Sequence, residues 1–364
     1  MSNIIEPKKS IGEISRYKAG KSNILGSSIK LSSNESALGP SKLATNAFIE
    51  SSKSLSIYPD GNSTILKEKI ADIHNLSIGN IFCGAGSDEI LTLIANAYLY
   101  PGDEVIYSEH AFVVYKIITL ANDAIPVPAA ENNLKASVDN IISSITKKTK
   151  IIFIANPNNP TGSYLNKKEL YDLRARMPEN VLLVIDGAYA EYVKKQDYID
   201  GTELVDKSTN TIMTRTFSKI YALASLRIGW AYCPDHVIEV LDRIRGPFNL
   251  SSAAIYAGSA ALTDREHFDE SISHNLKEKA YLVKEYKKLG INVIEGVANF
   301  ILLDFSFLAD FSHKTLNNYL IKKNIFLRDV SDYGLRTHLR LSIGTSEENR
   351  IALKEIKSFI EGDR

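Results

Sequence analysis

Residues 181–189 read Val181-Leu182-Leu183-Val184-Ile185-Asp186-Gly187-Ala188-Tyr189. Five apolar residues in a row leave a strand with no polar face, so other parts of the chain must cover both sides of it. The run then stops on a carboxylate, which is costly beside so much apolar sequence unless something pairs with it. A second run of this kind, Ile151-Ile152-Phe153-Ile154, lies upstream. Strand patterns at 80–83, 104–107, 125–127, 150–155, 181–185, 211–214 and 228–232 alternate with helical patterns at 87–100, 112–121, 138–145, 167–177 and 236–245. This alternation predicts an α/β fold whose mostly parallel sheet has helices on both sides. Asp186 stands at the carboxyl edge, where such sheets bind ligands.

Past residue 250 the texture changes. A helical stretch at 251–262 leads to a long polar helix at 264–289. Strands at 300–305, 325–329 and 338–343 follow, with a helix at 314–323. The last helix opens with Thr345-Ser346-Glu347-Glu348, a capping box. Helices outnumber strands here, which predicts a smaller α+β domain.

Composition narrows the function. Hydrophobic residues make up 44% and charged residues 24% of 364, an ordinary globular mix. Forty-three basic residues balance 43 acidic ones, so no electrostatic footprint for nucleic acid or anionic lipid is expected. Cys83 and Cys233 each close an apolar stretch and are expected to be buried thiols. The first residues lack the form of a signal peptide, and no apolar run approaches the ~20 residues that span a bilayer. The expectation is a soluble cytoplasmic protein, with no metal, membrane or nucleic-acid partner.

Four segments put polar groups at the sheet edge. Gly84-Ala85-Gly86-Ser87-Asp88-Glu89 follows a strand and opens a helix. Its glycines allow a sharp turn, and the first helical N–H groups suit a phosphate. It matches neither glycine-rich nucleotide motif, and a helix start with Ser87 as N-cap reads equally well. Asn156-Pro157-Asn158-Asn159-Pro160-Thr161-Gly162 makes rigid turns and aims an amide at the edge, where it can bond a phenolate oxygen without titrating. Asp186 is either a helix cap or structural ion-pair partner, or the carboxylate that keeps a pyridine nitrogen protonated. Tyr189, three residues on, sets a hydroxyl beside the same ring. The fourth segment is Arg215-Thr216-Phe217-Ser218-Lys219-Ile220-Tyr221-Ala222-Leu223-Ala224-Ser225-Leu226-Arg227. Lys219, set among hydroxyls and apolar residues, suits Schiff-base chemistry. Arg227, eight residues on, suits a phosphate clamp with Thr216 and Ser218. Alone, a lysine in such a segment is an ordinary solvated residue.

Together, N-N-P-T-G at 158–162, D-x-A-Y at 186–189 and T-x-S-K at 216–219 with Arg227 beyond resemble the fold-type I pyridoxal 5′-phosphate (PLP) aminotransferases. More narrowly, the chain resembles the histidinol-phosphate aminotransferases over nearly its full length. The supporting segments are Ser32-Ser33-Asn34-Glu35, Leu38-Gly39-Pro40, Tyr58-Pro59-Asp60-Gly61 and Gly86-Ser87-Asp88-Glu89. Further ones are Ala298-Asn299-Phe300, Leu327-Arg328-Asp329 and Leu339-Arg340-Leu341-Ser342-Ile343-Gly344-Thr345.

The resemblance implies an N-terminal arm over 1–35 that packs with the small domain and a dimer partner. It also implies a large PLP-binding domain with a seven-stranded sheet over 36–250, and a small domain over 251–364. Lys219 would hold PLP and move a proton, Asp186 would meet the pyridine nitrogen, and Asn159 and Tyr189 would meet the ring oxygen. Phe112 would stack on the ring. Backbone N–H groups of Ser87 and Asp88, with Thr216, Ser218 and Arg227, would hold the phosphate, joined by Tyr58 from the second subunit of a homodimer. Arg340 would bind the substrate's carboxylate or phosphate, with Arg328, Tyr17, Asn34 and Asn299 nearby. The implied reaction exchanges an amino group between glutamate and imidazole-acetol phosphate, giving 2-oxoglutarate and histidinol phosphate. An aromatic amino-acid aminotransferase, a PLP decarboxylase of a phosphorylated amino acid and a non-catalytic PLP-binding regulator are the rivals. The chain departs from the family at Ser36-Ala37, at Gly187 and at Ser225-Leu226, none of which removes an expected cofactor contact.

Overall fold

The computed structural model describes residues 5–16, 28–308 and 313–362. Seven strands form the large sheet, in the order Ile81–Gly84, Gly229–Tyr232, Thr211–Thr216, Leu182–Asp186, Thr149–Ala155, Glu104–Ser108 and Ile125–Ala129. All neighbours run parallel except Gly229–Tyr232, which is antiparallel to both of its own. The strand ending in Asp186 is central and wholly buried. Its side chains alternate as the pleat requires. Val184, with Phe153 next door, packs toward Ile90, Tyr115 and Val237. Leu183 and Ile185, with Ile152 and Ile154, pack toward Ile141, Leu170 and Leu173. Two helical layers therefore enclose the sheet, making the α/β architecture expected of the apolar runs.

A second sheet has the order Ile29–Leu31, Ile325–Asp329, His338–Ser342, Phe300–Asp304 and Asn292–Ile294. Helices Arg265–Lys288, His313–Lys322 and Ser346–Glu361 back it, burying Leu282, Leu316, Leu320 and Ile356 against Ile301 and Leu339. The capping box is formed. Thr345 Oγ1 accepts from Glu348 N–H at 3.3 Å, and Glu348 Oε2 accepts from Thr345 N–H at 2.8 Å.

Among the elements that escaped the periodicity are helices Lys42–Ser51 and Thr64–His74, and strands Ile29–Leu31 and Asn292–Ile294. The two strands span three residues each, too short for alternation to register. Helix Ser252–Thr263 lies beyond the boundary expected at 250. Its Ala254, Ile255 and Ala257 nevertheless share a core with Leu66, Ile70 and Phe217 of the large sheet's side.

The two halves touch without side chains between them at Gly162 and Gly296. Both have positive φ, +71° and +57°, and Val297 N–H donates to Gly162 O at 2.8 Å. A Cβ on Gly296 would lie 2.6 Å from Gly162 Cα. At the N-terminus, Lys8 Nζ donates to Ala121 O at 3.1 Å, tying the Lys9–Glu13 turn to helix Val114–Ala121. Cys83 and Cys233 are buried, and burial pushes the Cys83 thiol up to about 12. Among the described residues no helix is long and apolar enough to cross a membrane.

Gly229 faces the loop that opens helix Ser87–Tyr98, and a Cβ there would lie 2.3 Å from Ser87 N and 2.5 Å from Gly86 C. Backbone atoms cannot swing aside as a flexible side chain can. Gly229→Ala should cost about 3 kcal/mol by urea unfolding, the scale of overpacking. Gly246→Ala, where nothing lies within 4 Å, should stay within about 0.5 kcal/mol.

Candidate active site

A cleft of about 230 Å³ opens at the carboxyl edge of the large sheet, closed on its far side by Arg328, Tyr333 and Arg340 of the small one. Asp186 lies at its base. Strand pairing sets it between Ala155 and Thr214. Its Oδ2 accepts from the Tyr115 hydroxyl at 2.8 Å and its Oδ1 from Thr214 Oγ1 at 3.2 Å. Burial pushes the carboxyl up to about 6, against the pull of the Tyr115 bond. No ion pair among the described residues includes it, so it is a buried carboxylate with hydroxyl partners and no counter-charge.

One end of the cleft is built as an anion cradle. Helix Ser87–Tyr98 starts after Gly86, whose φ is +85°, and no side chain caps it. Ser87 is therefore the first helical residue, and the N-cap expected of it belongs to Gly86. Uncapped, the first turn turns its N–H groups toward the cleft, a favourable place for a phosphate. Thr216, Ser218 and Arg227 stand opposite. Arg227 Nη1 donates to Ser218 Oγ at 3.2 Å, and its Nη2 pairs with Asp88 Oδ2 at 3.2 Å. A Cβ on Gly86 would lie 2.5 Å from Arg227 Nη2, so only glycine lets the guanidinium approach the loop. Two departures from the family pattern fall close by. Gly187 lies where a Cβ would meet Thr214 O at 3.2 Å, and Ser225-Leu226 leads into Arg227, which takes a left-handed φ of +53°.

Lys219 lies midway along the cleft, its Nζ donating to Ser33 O at 3.1 Å. Asn34, with φ +57°, ties three regions together. Its N–H donates to Ser342 Oγ at 2.8 Å, Ser342 Oγ donates back to Asn34 Oδ1 at 2.9 Å, and Asn34 Nδ2 donates to the Tyr189 hydroxyl at 2.8 Å. Arg340 donates to Asn159 Oδ1 through one nitrogen and to Ser32 O through the other, the latter at 2.7 Å. These bonds give the cleft a polarity. Arginine has no acceptor, so Asn159 must turn its oxygen to Arg340 and keep Nδ2 as a donor. The Tyr189 hydroxyl already accepts from Asn34, and burial pushes its phenol above the usual value, so it keeps its proton to give. Two donors on one wall suit an oxyanion.

Most of the expected residues meet in the cleft: Asn34, Ser87, Asp88, Phe112, Asn159, Asp186, Tyr189, Thr216, Ser218, Lys219, Arg227, Arg328 and Arg340. Asn299 does not line it. Its Nδ2 donates to Asn34 O at 3.0 Å and Glu35 O at 3.3 Å and so holds the loop. Tyr58 lies away from the cleft, 78% exposed and stacked on Phe248. Tyr17 falls outside the described residues. Sequence reasoning missed Tyr115, Ser33 and Tyr333. Tyr115 could have been found only by asking what hydroxyl serves a buried Asp186. Tyr333 had a weak signal in the turn Ser331-Asp332-Tyr333-Gly334 after Arg328.

Known proteins resemble this chain in sequence and in fold. Histidinol-phosphate aminotransferases of Rhodopseudomonas palustris strains HaA2 and TIE-1 are each 44% identical over 97% of this chain and 98% of their own. A crystal structure of histidinol-phosphate aminotransferase from Sinorhizobium meliloti, in complex with pyridoxal 5′-phosphate, has the same fold. Its TM-score is 0.86 at 23% identity, covering 92% of this chain and 91% of that one. The histidinol-phosphate aminotransferase of Clostridium acetobutylicum superposes with a TM-score of 0.84 at 24% identity, covering 91% and 99%. The family described as aminotransferase class I and II matches residues 27–356. With a match over nine-tenths of its length and the cleft that goes with it, the chain belongs to the class I and II aminotransferases.

Proposed function

We propose that this chain is a PLP-dependent aminotransferase, acting in the cytoplasm as a homodimer. It exchanges an amino group between glutamate and imidazole-acetol phosphate, giving 2-oxoglutarate and histidinol phosphate for histidine biosynthesis. The observation that carries this reading is the full-length 44% identity to relatives named for that reaction. The cleft supports it.

The residues present fit PLP. The buried Asp186 carboxylate lacks a counter-charge, which a protonated pyridine nitrogen would bring. The uncapped first turn at Ser87 and Asp88, with Thr216, Ser218 and Arg227, fits a phosphate dianion. Asn159 and Tyr189 offer hydrogens to a ring oxygen, and Phe112 offers a ring face. When bound, PLP supplies an aldehyde for the amino group and an electron-poor ring that takes up the pair left as the Cα proton departs. Lys219 Nζ holds the cofactor at rest and then carries that Cα proton. Asp186 keeps its charge beside the ring, and the small-sheet side of the cleft keeps water out.

Substrate choice rests on two arginines. Arg328 and Arg340 are paired residues on neighbouring antiparallel strands, and both line the cleft. One guanidinium suffices for the carboxylate of glutamate. Two suit a phosphate dianion, since each offers a bidentate, charge-assisted pair. Arg340 is held ready by Asn159 and Ser32, contacts it would trade for the incoming anion.

The dimer rests on an apolar face around Tyr58. Leu55 and Ile57 are 82% and 69% exposed beside it, and Phe248 stacks on Tyr58. Such a surface marks an interface, and a second copy lets Tyr58 enter the other cleft at its phosphate end. An arm over residues 1–35, a large domain and a small one remain our proposed units, with the large core extended through Thr263.

Three measurements test the reading. Reduction with borohydride in the presence of PLP, followed by peptide mapping, should label Lys219; label on another lysine removes the assignment. Mixing Tyr58→Phe chains with Lys219→Ala chains should restore about a quarter of the parent activity, because half the dimers carry one intact shared site. No gain on mixing would rule out a site shared between subunits. Arg328→Gln should cost about 1.5–3 kcal/mol in kcat/KM for histidinol phosphate and much less for phenylalanine. Equal losses would make Arg328 structural and favour an aromatic amino-acid aminotransferase.

A further inference from the structure

Tyr115 has no part in the roles above, yet it is wholly buried at the start of helix Val114–Ala121 with its hydroxyl 2.8 Å from Asp186 Oδ2. Burial alone does not produce such a bond in this chain. Tyr286 is equally buried, and its hydroxyl has no partner among the described residues. The Tyr115 ring is clamped: it lies parallel to Phe153, with centroids 4.9 Å apart and an angle of 6°, and meets Phe112 edge-on at 6.0 Å and 88°. Tyr107, the strand neighbour of Phe153, tilts against the Tyr115 ring at 6.3 Å. One side chain thus touches both the carboxylate at the base of the cleft and the aromatic residue on its wall.

We propose that Tyr115 is the positioning residue of this site, holding Asp186 ionised and in one orientation, and Phe112 in place, for the cofactor ring. This inference rests on the reading of the cleft as a PLP site. Asp186 accepts from the Tyr115 and Thr214 hydroxyls and from the backbone N–H of Ala188, and of these Tyr115 favours its charged form most. Burial pushes the Tyr115 phenol well up, and the neighbouring charge of Asp186 adds to this, so the tyrosine stays the donor throughout. The other groups that face Asp186 do not replace it. Asp88 bears a like charge that pushes the carboxyl up, and Tyr189 and Tyr198 are phenols raised by burial. Without the Tyr115 hydroxyl, the charged form of Asp186 loses its best donor. A hydrogen bond to a charged group changes such a balance about 10- to 100-fold, which is one to two pH units.

The test uses protein loaded with PLP carrying ¹⁵N in its ring, with the nitrogen's protonation followed by NMR against pH. In the parent the nitrogen should be protonated through neutral pH, and Asp186→Asn should abolish this. Tyr115→Phe should bind PLP about tenfold more weakly and shift the protonation midpoint, with kcat falling and KM for glutamate little changed. On the Asp186→Asn background Tyr115→Phe should not move the nitrogen signal. A fluorine on the ring of Tyr115, introduced at that position alone, strengthens the donor with little change of shape and should shift the midpoint in the direction opposite to Tyr115→Phe; this arm stands even if Tyr115→Phe fails to fold. A parent protein that does not bind PLP, or binds it with an unprotonated nitrogen, overturns the cofactor reading and the proposal with it. A parent that behaves as expected while neither Tyr115 replacement shifts the midpoint overturns the proposal alone.

Discussion

Asp186 is an anion kept out of water. Removing a carboxylate from solvent costs several kcal/mol even after the surroundings relax, and here the surroundings return two hydroxyl hydrogen bonds and one from the Ala188 backbone, with no counter-charge. One strand away the chain solves the same problem differently. Arg215 is buried too, but it is bonded to Glu191 at 2.8 Å and to Asp200, so its charge is matched from within. The contrast separates a charge that belongs to the scaffold from one left open for a visitor. A central strand is a suitable place for the open charge. Ala155 and Thr214 flank Asp186 in register on both sides, so its backbone cannot drift toward solvent.

Much of this was legible because it breaks a pattern. The strands Thr149–Ala155 and Leu182–Asp186 announce themselves as apolar on both faces, and Asp186 stands out by ending one of them. Lys219 and Arg227 were legible only as members of a motif, since neither hydropathy nor spacing separates them from surface cations. Tyr115 was not legible at all. On a buried helix face a tyrosine counts as one more apolar residue, and periodicity carries no information about the direction of its hydroxyl. Helix Lys42–Ser51 was hidden for the opposite reason: it leaves Phe48 and Ile49 exposed, so no single apolar stripe marks it. Asn299 had the right neighbours in sequence, but its Nδ2 donates to backbone carbonyls at 34 and 35.

The loop 32–35 joins the two sheets chemically as well as along the chain. It continues directly from strand Ile29–Leu31 of the small sheet and gives its carbonyls to Arg340, Lys219 and Asn299. Through Asn34 it also orients Tyr189. A left-handed asparagine makes this possible, because that backbone turn directs the side chain and the N–H to different partners. Ordering of this loop and ordering of the site are therefore one event.

The glycine contact at 162 and 296 gives the molecule a mechanical character. Surfaces that mesh through side chains resist sliding and tilting alike; two bare backbones joined by one hydrogen bond resist separation but offer little torque against rotation. Gly162 and Gly296 thus mark a point where the two halves meet backbone to backbone, and the bond between Arg340 and Asn159 lies close beside it, three residues from Gly162 along the loop. An anion that draws Arg340 away from Asn159 therefore acts beside that contact.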